Sequence, residues 1–299
     1  MSLDSNTRRR RQAIVLGLTG VTVFGLTTPA TRVAVLELDP VFITLGRGLF
    51  AAALAAMTLI VARPRVPQRR DWPRLFWFSA FSIIGFPLLM TIAMQYAPAS
   101  HAAVVLAALP LLTAMAGVLV ARERPSLGFW ACGIAGTAAA ALYAVLSGGG
   151  AADLHWADLL LAGAALSAAM AYALGGEMSH RIGGWEVISW ALVVSAPVLL
   201  VAFVIYAPPI NWGASASAWT GFVYVAMFSQ FLGFFAWNKG LSLGGIARIG
   251  QLLLLQPFVT LLAAAFLLGE SIGWMEVVFC VVVVMFVALG WRMRVSRTS

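Results

Sequence analysis

The sequence predicts an all-α integral membrane protein of ten transmembrane helices, arranged as two inverted five-helix repeats with a central cavity. Three observations lead to this prediction. Of the 299 residues, 62% are hydrophobic and only 10% are charged, whereas a soluble domain carries about 25% charged residues. The apolar residues fall into consecutive segments of bilayer-spanning length. The pattern of residues 106–123 recurs at 253–270.

The apolar segments are separated by charge clusters and by proline or glycine breaks. Each is close to the roughly 20 residues that a spanning helix needs, and the predicted spans are 13–34, 41–62, 75–96, 100–121, 127–146, 157–178, 185–206, 218–238, 246–268 and 272–292. They lack the alternation of barrel strands, so helices are expected. The predicted organisation is a basic tail at 1–12, a first five-helix repeat at 13–148, a second at 149–292 and a tail at 293–299. The basic tail resembles the start of a signal peptide, but the first apolar segment has full spanning length, so we expect a mature helix.

Basic residues mark alternate connections between the predicted spans. The net charge is +8. The odd-numbered connections contain no Lys or Arg, whereas the termini and even-numbered connections carry Arg8–Arg11, Arg63, Arg65, Arg69, Arg70, Arg74, Arg122, Arg124, Arg181, Lys239, Arg248, Arg292, Arg294 and Arg297. The positive-inside rule therefore predicts that both termini are cytoplasmic. The expected location is a bacterial inner (cytoplasmic) membrane. No nucleic-acid-binding motif accompanies the charge, and no nucleic-acid partner is expected.

An internal repeat relates the two halves of the chain. Three residue pairs share an offset of 147: Pro110 with Pro257, Thr113 with Thr260, and Glu123 with Glu270. Five spans per unit is an odd number, so the second copy is expected to enter the membrane upside down, with Glu123 cytoplasmic and Glu270 external. Inverted repeats of this kind are typical of secondary transporters, in which two units rock around a central site.

This pattern resembles the drug/metabolite transporter (DMT) superfamily, EamA type. The shared features are two inverted five-helix units, a proline in the fourth helix, a closing glutamate, and Arg47 within LGRGLFAAAL; near the corresponding place the second copy has Val193. Among subfamilies, the chain is similar to the YddG-like exporters of aromatic amino acids. The resemblance and the repeat together imply structural or gating roles for Arg47, Pro110, Glu123, Pro257 and Glu270.

Polar side chains in the eighth and ninth predicted spans are candidates for substrate binding. Gln230, Phe234 and Trp237 recur at helical spacing and share a face of the eighth span. In the ninth, Gln251 and Gln256 are about 140° apart at 100° per residue. Only one of these two glutamines can easily face a central pathway.

The third and fourth predicted spans supply further candidates. Trp77 and Phe81 form part of an aromatic stripe, and His101 opens the fourth span from the outer side. Pro110 and Pro257 free backbone carbonyls. A cavity walled by the third, fourth, eighth and ninth spans would suit an apolar or aromatic solute with an amino-acid head group. The same side chains also suit helix–helix packing, with amides bonding across an interface, and the sequence leaves both interpretations open.

The predicted function is that of a secondary exporter of small amphipathic metabolites, including aromatic amino acids, by alternating access. Alternatives are transport of another metabolite or drug in either direction, a channel, and an intramembrane enzyme. The sequence has no HExxH and no GxxxxGK[ST] motif, so we expect no catalytic residues, no metal and no cofactor. The expected partners are the lipid bilayer and a small-molecule substrate, with a monomer as the simplest unit.

Overall fold

The structure is a computed structural model that describes residues 2–93, 96, 105–146, 156–206, 208–268 and 273–297. The α-helices in these ranges are α1 (Ser2–Gly25), α2 (Thr27–Val35), α3 (Pro40–Ala62), α4 (Trp72–Ser79), α5 (Phe86–Ala93), α6 (Leu109–Ala121), α7 (Leu127–Leu146), α8 (Trp156–Ile182), α9 (Gly184–Tyr206), α10 (Ala216–Val223), α11 (Gly233–Gly244), α12 (Ile246–Gly250), α13 (Gln256–Leu268) and α14 (Trp274–Arg292). Short 3₁₀ helices cover Arg69–Asp71 and Gln251–Leu255. Two three-residue strands, β1 (Glu123–Pro125) and β2 (Val295–Arg297), pair antiparallel.

Several helical stretches in the described ranges are long and apolar enough to cross a membrane. Six have this length: Thr7–Val35, Pro40–Ala62, Arg69–Met90, Trp156–Ile182, Gly184–Tyr206 and Ala216–Gly244. Shorter apolar helices cover Leu109–Ala121, Leu127–Tyr143, Ile246–Thr260 and Val277–Arg292. All of them coincide with predicted spans, so the all-helical membrane prediction is confirmed. The exact number of ten crossings stays a prediction.

The hydrophobic core is built between the two halves of the chain. Helix α1 packs along α11, α3 along α9, α6 along α8 and α7 along α14. In each of these pairs, one helix comes from 13–148 and the other from 149–292. A second, smaller core joins α2 and the start of α3 to α10, around Ala34, Phe42 and Phe222.

Pro29 explains the interruption between α1 and α2. Because proline has no N–H, Pro29 leaves the carbonyl of Gly25, four residues earlier, without its helical donor. The Thr260 hydroxyl donates to this carbonyl at 2.8 Å, and the Tyr224 hydroxyl donates to the carbonyl of Val23 at 3.1 Å. Side chains from the second half of the chain therefore hold the interrupted helix in place.

Two helices contain π-helical segments at related positions. Ala80–Gly85 joins α4 to α5, and Tyr224–Leu232 joins α10 to α11. At the repeat offset of 147 residues, the first segment falls inside the second. Such segments often mark functional places in a helix, because they redirect the side chains that follow.

Pro110 and Pro257 also lie at matching positions. Each is the second residue of its helix, where α6 follows a turn at 107–108 and α13 follows the 3₁₀ helix Gln251–Leu255. At this position the missing N–H of proline costs little, because the first N–H groups of a helix have no intrahelical acceptor. The sequence predicted one unbroken helix at each place, and the structure has an interruption instead.

Secondary structure extends into both of the predicted tails. Helix α1 already begins at Ser2, within the predicted tail 1–12. The Arg10 guanidinium donates to the carbonyl of Trp291 at 3.1 Å and lies 5.7 Å from its ring centroid. A cation at the C-terminus of α14 is favourable because the carbonyls there carry partial negative charge. At the other end of the chain, β2 lies within the predicted tail 293–299 and pairs with β1.

Candidate functional site

Glu123 connects the two halves where α6 ends and α12 begins. We call this end of the bundle the basic end, because Arg10, Arg181 and Arg248 lie there. Glu123 is only 4% exposed. Its carboxylate accepts hydrogen bonds from the backbone N–H of Ile246 at 2.6 Å and of Ala247 at 2.7 Å. These are otherwise unpaired donors at a helix N-terminus, where a negative charge is stabilised.

The turn before α12 requires glycine at Gly245. This residue has φ of +90°, a conformation that other residues rarely adopt. A β-carbon at this position would also lie 3.1 Å from Glu123 Oε1. Three residues further on, the Arg248 guanidinium donates to the carbonyl of Met293 at 2.9 Å. The start of α12 is therefore fixed by contacts on two sides.

A group of four charged side chains joins α4 to α8 at the same end. The buried carboxylate of Asp71 lies 2.8 Å from the Arg181 guanidinium. Arg74 lies 3.4 Å from Glu177, which in turn lies 3.9 Å from Arg181. Two anions and two cations thus neutralise one another across the two halves.

Glu37 makes the corresponding connection at the opposite end. Its carboxylate accepts hydrogen bonds from the backbone N–H of Ser215 at 2.7 Å and from the Ser215 hydroxyl. The Asn211 side chain donates to the Glu37 carbonyl at 3.1 Å. The hydrogen bonds from the Ser215 side chain and then from its backbone lower the pKa of Glu37. Ser215 precedes α10 as its N-cap, so Glu37 again joins the first half to the start of a helix in the second.

An aromatic cluster lies where α1, α8 and α11 meet. It consists of Phe24, Tyr172, Phe234 and Trp237, with ring centroids 5.2 Å apart for Tyr172 and Trp237 and for Phe24 and Phe234. Phe24 and Tyr172 stack at 6.4 Å with only 13° between their planes. Phe78 adds an edge contact with Phe234 at 6.3 Å.

The eighth predicted span contributes three of its candidates to the core. Trp237 is fully buried, and Gln230 and Phe234 are buried as well. The Trp237 Nε1 and Gln230 Nε2 atoms have no hydrogen-bond partner among the described residues. Buried donors without a partner are uncommon in proteins, so these two groups are suited to a ligand or a water molecule.

The other candidates are dispersed. Trp77 is 53% exposed and stacks on Phe81 with a 5.6 Å centroid distance, outside the aromatic cluster. Gln251 is buried against Gly133 and Gly290, which belong to α7 and α14. Gln256 is partly buried at the start of α13.

The residues expected to have structural or gating roles have different environments. Arg47 is partly buried within α3, Pro110 is buried and Pro257 is exposed. Of this set, Glu123 makes the contacts between halves that such a role requires. His101 and Glu270 lie outside the described residues.

Tyr172, Glu37 and Asp71 are functional candidates that sequence reasoning missed. Tyr172 is a single aromatic residue in an alanine-rich span, and no spacing pattern distinguishes it. Glu37 and Asp71 lie in the connections, where a carboxylate is usually hydrated. A signal did exist for Asp71, since it is the sole acidic residue in a connection with five arginines.

Comparisons with known proteins identify a transporter family, several relatives and a shared fold. The model of the EamA-like transporter family matches residues 11–145 and, a second time, residues 155–291. An uncharacterized transporter from Bacillus subtilis, YdeK, is 40% identical over 277 residues, or 92% of this chain and 96% of the relative. A probable terminal-alkyne amino-acid exporter from Streptantibioticus cattleyicolor is 28% identical over 264 residues, 86% of this chain and 80% of that protein. A solved crystal structure with 18% identity aligns with a TM-score of 0.76 over 94% of this chain and 96% of its own, which shows a shared fold.

Proposed function

Because this chain belongs to the EamA-like transporter family, and is therefore a multi-pass membrane transporter, we propose that it exports small amphipathic metabolites by alternating access. The observation that carries this proposal is the contact between halves at both ends of the bundle. Glu123 joins the halves at the basic end, and Glu37 joins them at the other. Alternating access needs two such sets of contacts, so that one can open while the other is closed.

The proposal includes two inverted repeats and ten crossings. It is supported by the double match of the family model, by the π-helical segments at a common offset, and by helices that pack on partners in the other half. With the positive-inside rule, the basic end lies in the cytoplasm. In the described part of the chain, the two halves are in contact at the basic end. Export requires these contacts to break, so that a solute can enter from the cytoplasm.

The orientation can be tested with cysteines at two exposed positions. Arg65 lies between α3 and α4, and Gly213 lies before α10. With an impermeant thiol reagent on intact cells, Gly213→Cys should be labelled and Arg65→Cys should not. Both should react after the membrane is made permeable. Labelling of Arg65→Cys in intact cells would refute the proposed orientation.

For the substrate, we favour amino acids, including aromatic ones. The aromatic cluster offers ring faces for stacking, and Gln230 offers an unpaired amide donor. A distant relative that is named as an amino-acid exporter is consistent with this choice. The exposed position of Trp77 gives it no support, and that residue is left out of the proposed pathway.

The deciding experiment is counterflow in proteoliposomes. Vesicles loaded with unlabelled L-phenylalanine should accumulate labelled L-phenylalanine transiently, and uptake should saturate. Loading with L-alanine or with L-glutamate tests the breadth of the substrate class. Repeating the assay with a pH gradient tests coupling to protons. Flux that is linear in concentration would indicate a channel, and no counterflow with any amino acid would refute amino-acid transport in favour of another metabolite.

A further inference from the structure

Tyr172 lies at the centre of the aromatic cluster, on α8. Its ring stacks on Phe24 and contacts Trp237 edge-on, with Phe234 at 6.5 Å. These partners come from two other helices, α1 and α11. The position of the Tyr172 ring is therefore set by contacts with three other rings.

The Tyr172 hydroxyl differs from its ring, because it makes no hydrogen bond with the described residues. Tyr224 provides the contrast within the same bundle. Its hydroxyl donates to the backbone carbonyl of Val23. Because Tyr172 is only partly buried, its hydroxyl is available to a group that the chain does not supply.

Among the four rings of the cluster, Tyr172 alone keeps partial exposure, since Phe24, Phe234 and Trp237 are buried. The Tyr172 side chain is not accessible to a solute from the basic end. One turn further along α8, a β-carbon at Gly175 would lie 2.6 Å from Asn238 Oδ1, and one at Gly176 would lie 2.8 Å from Leu241. Helices in such close contact leave no space for a solute, so a solute cannot reach Tyr172 from the basic end.

We propose that the Tyr172 hydroxyl binds the carboxylate of the transported solute, whose apolar part lies against the aromatic cluster. The proposal rests on the proposed transport function and adds a specificity-determining residue to it. The two unpartnered groups on the helix that faces Tyr172, Trp237 Nε1 and Gln230 Nε2, are also donors. A set of neutral donors selects a solute with acceptor atoms, and a carboxylate supplies several lone pairs.

The test compares Tyr172→Phe with Tyr224→Phe in proteoliposomes, by counterflow of labelled L-phenylalanine. Tyr172→Phe removes a hydroxyl with no partner in the chain, so thermal stability should not fall. The concentration for half-saturation should rise about ten- to a hundredfold, as expected for the loss of one hydrogen bond to a charged group. Tyr224→Phe loses a bond to the backbone, so its melting temperature should fall while half-saturation stays within about twofold.

A second solute identifies the group that is bound. Phenethylamine keeps the ring and the amine of phenylalanine but has no carboxylate, and it is used as a competitor of L-phenylalanine uptake. Wild type and Tyr172→Phe should be inhibited equally. If the substitution weakens both solutes alike, lowers the melting temperature, or leaves phenylalanine half-saturation unchanged, the inference is wrong although transport stands. If the wild type shows no counterflow with any amino acid, this inference falls together with the proposed substrate class.

Discussion

The carboxylate of Glu123 lies 2.6 Å from the backbone nitrogen of Ile246, so that a side chain from the first half of the chain caps a helix in the second. Charge-assisted hydrogen bonds of this kind are stronger than neutral ones. The cap is buried, and the backbone N–H groups of Ile246 and Ala247 lose their acceptor if the two halves separate here. Opening of the basic end therefore requires water or another group to replace Glu123.

Glu123→Gln should make the basic end open more often. The amide keeps one acceptor oxygen but loses the charge and the second acceptor, while Glu123→Ala loses both and should destabilise the protein by about 1–3 kcal/mol. Opening can be measured as the rate at which a thiol reagent labels Ser242→Cys, a buried position at this end. Glu186→Gln, on α9, serves as the control. An unchanged labelling rate in Glu123→Gln would contradict the role of the cap in closure.

Asp71 and Arg181 should be energetically coupled. Asp71→Asn leaves the partly buried Arg181 with only the more distant Glu177, and we expect a loss of about 1–3 kcal/mol, below the 3–5 kcal/mol typical of fully buried pairs. Arg181→Gln should cost a similar amount, and the double variant less than the sum of the two. The stability of the wild type, the two single variants and the double variant can be measured by thermal unfolding in detergent. Additive losses would show that the pair contributes no interaction of its own.

The contact between Glu37 and Ser215 should be lost in acid. Because hydrogen bonds from Ser215 lower the pKa of Glu37 below its usual 4.5, the contact contributes its full stability above that value. The contribution is lost as the pH falls through the lowered pKa. Melting temperatures of wild type and Glu37→Gln should therefore differ at pH 6 and converge towards pH 3. A difference that stays constant over this range would assign the effect of the substitution to something other than the charge.

A side chain at Gly290 should force the Gln251 amide to move, because a β-carbon there would lie 2.9 Å from Gln251 Nε2 and closer still to Oε1. Gly290→Ala is expected to cost about 1–3 kcal/mol by overpacking, and Gln251→Ala in the same chain should recover part of it. Gly213→Ala, at an exposed position, is the matched control.

If Gln251 serves packing, Gln251→Leu should leave half-saturation for L-phenylalanine unchanged. A large change would return Gln251 to the substrate site.

The helices could be predicted from the sequence because a lipid bilayer requires long apolar segments. Such segments are recognised from the hydrophobicity of consecutive residues, without any knowledge of their contacts. The orientation of helix faces could not. In a water-soluble protein the polar face shows which side is buried, but the third predicted span, 75–96, is apolar on nearly every side. The sequence therefore predicts that Trp77 lines the pathway without showing which side of its helix faces inward, and no spacing pattern marks Tyr172. Contacts such as that of Glu37 with Ser215 join residues 178 positions apart, and no local pattern marks them.

The interruption between α1 and α2 has a mechanical consequence. A continuous helix bends only by straining its hydrogen bonds, whereas this one is held at the joint by the hydroxyls of Thr260 and Tyr224. The smaller core around α2 and α10 is connected to the main core partly through this joint, whose hydrogen bonds come from side chains of the second half. We expect its stiffness to depend on two side-chain hydroxyls, so that Thr260→Val should change the rate at which the two cores move past each other more than it changes the stability of either.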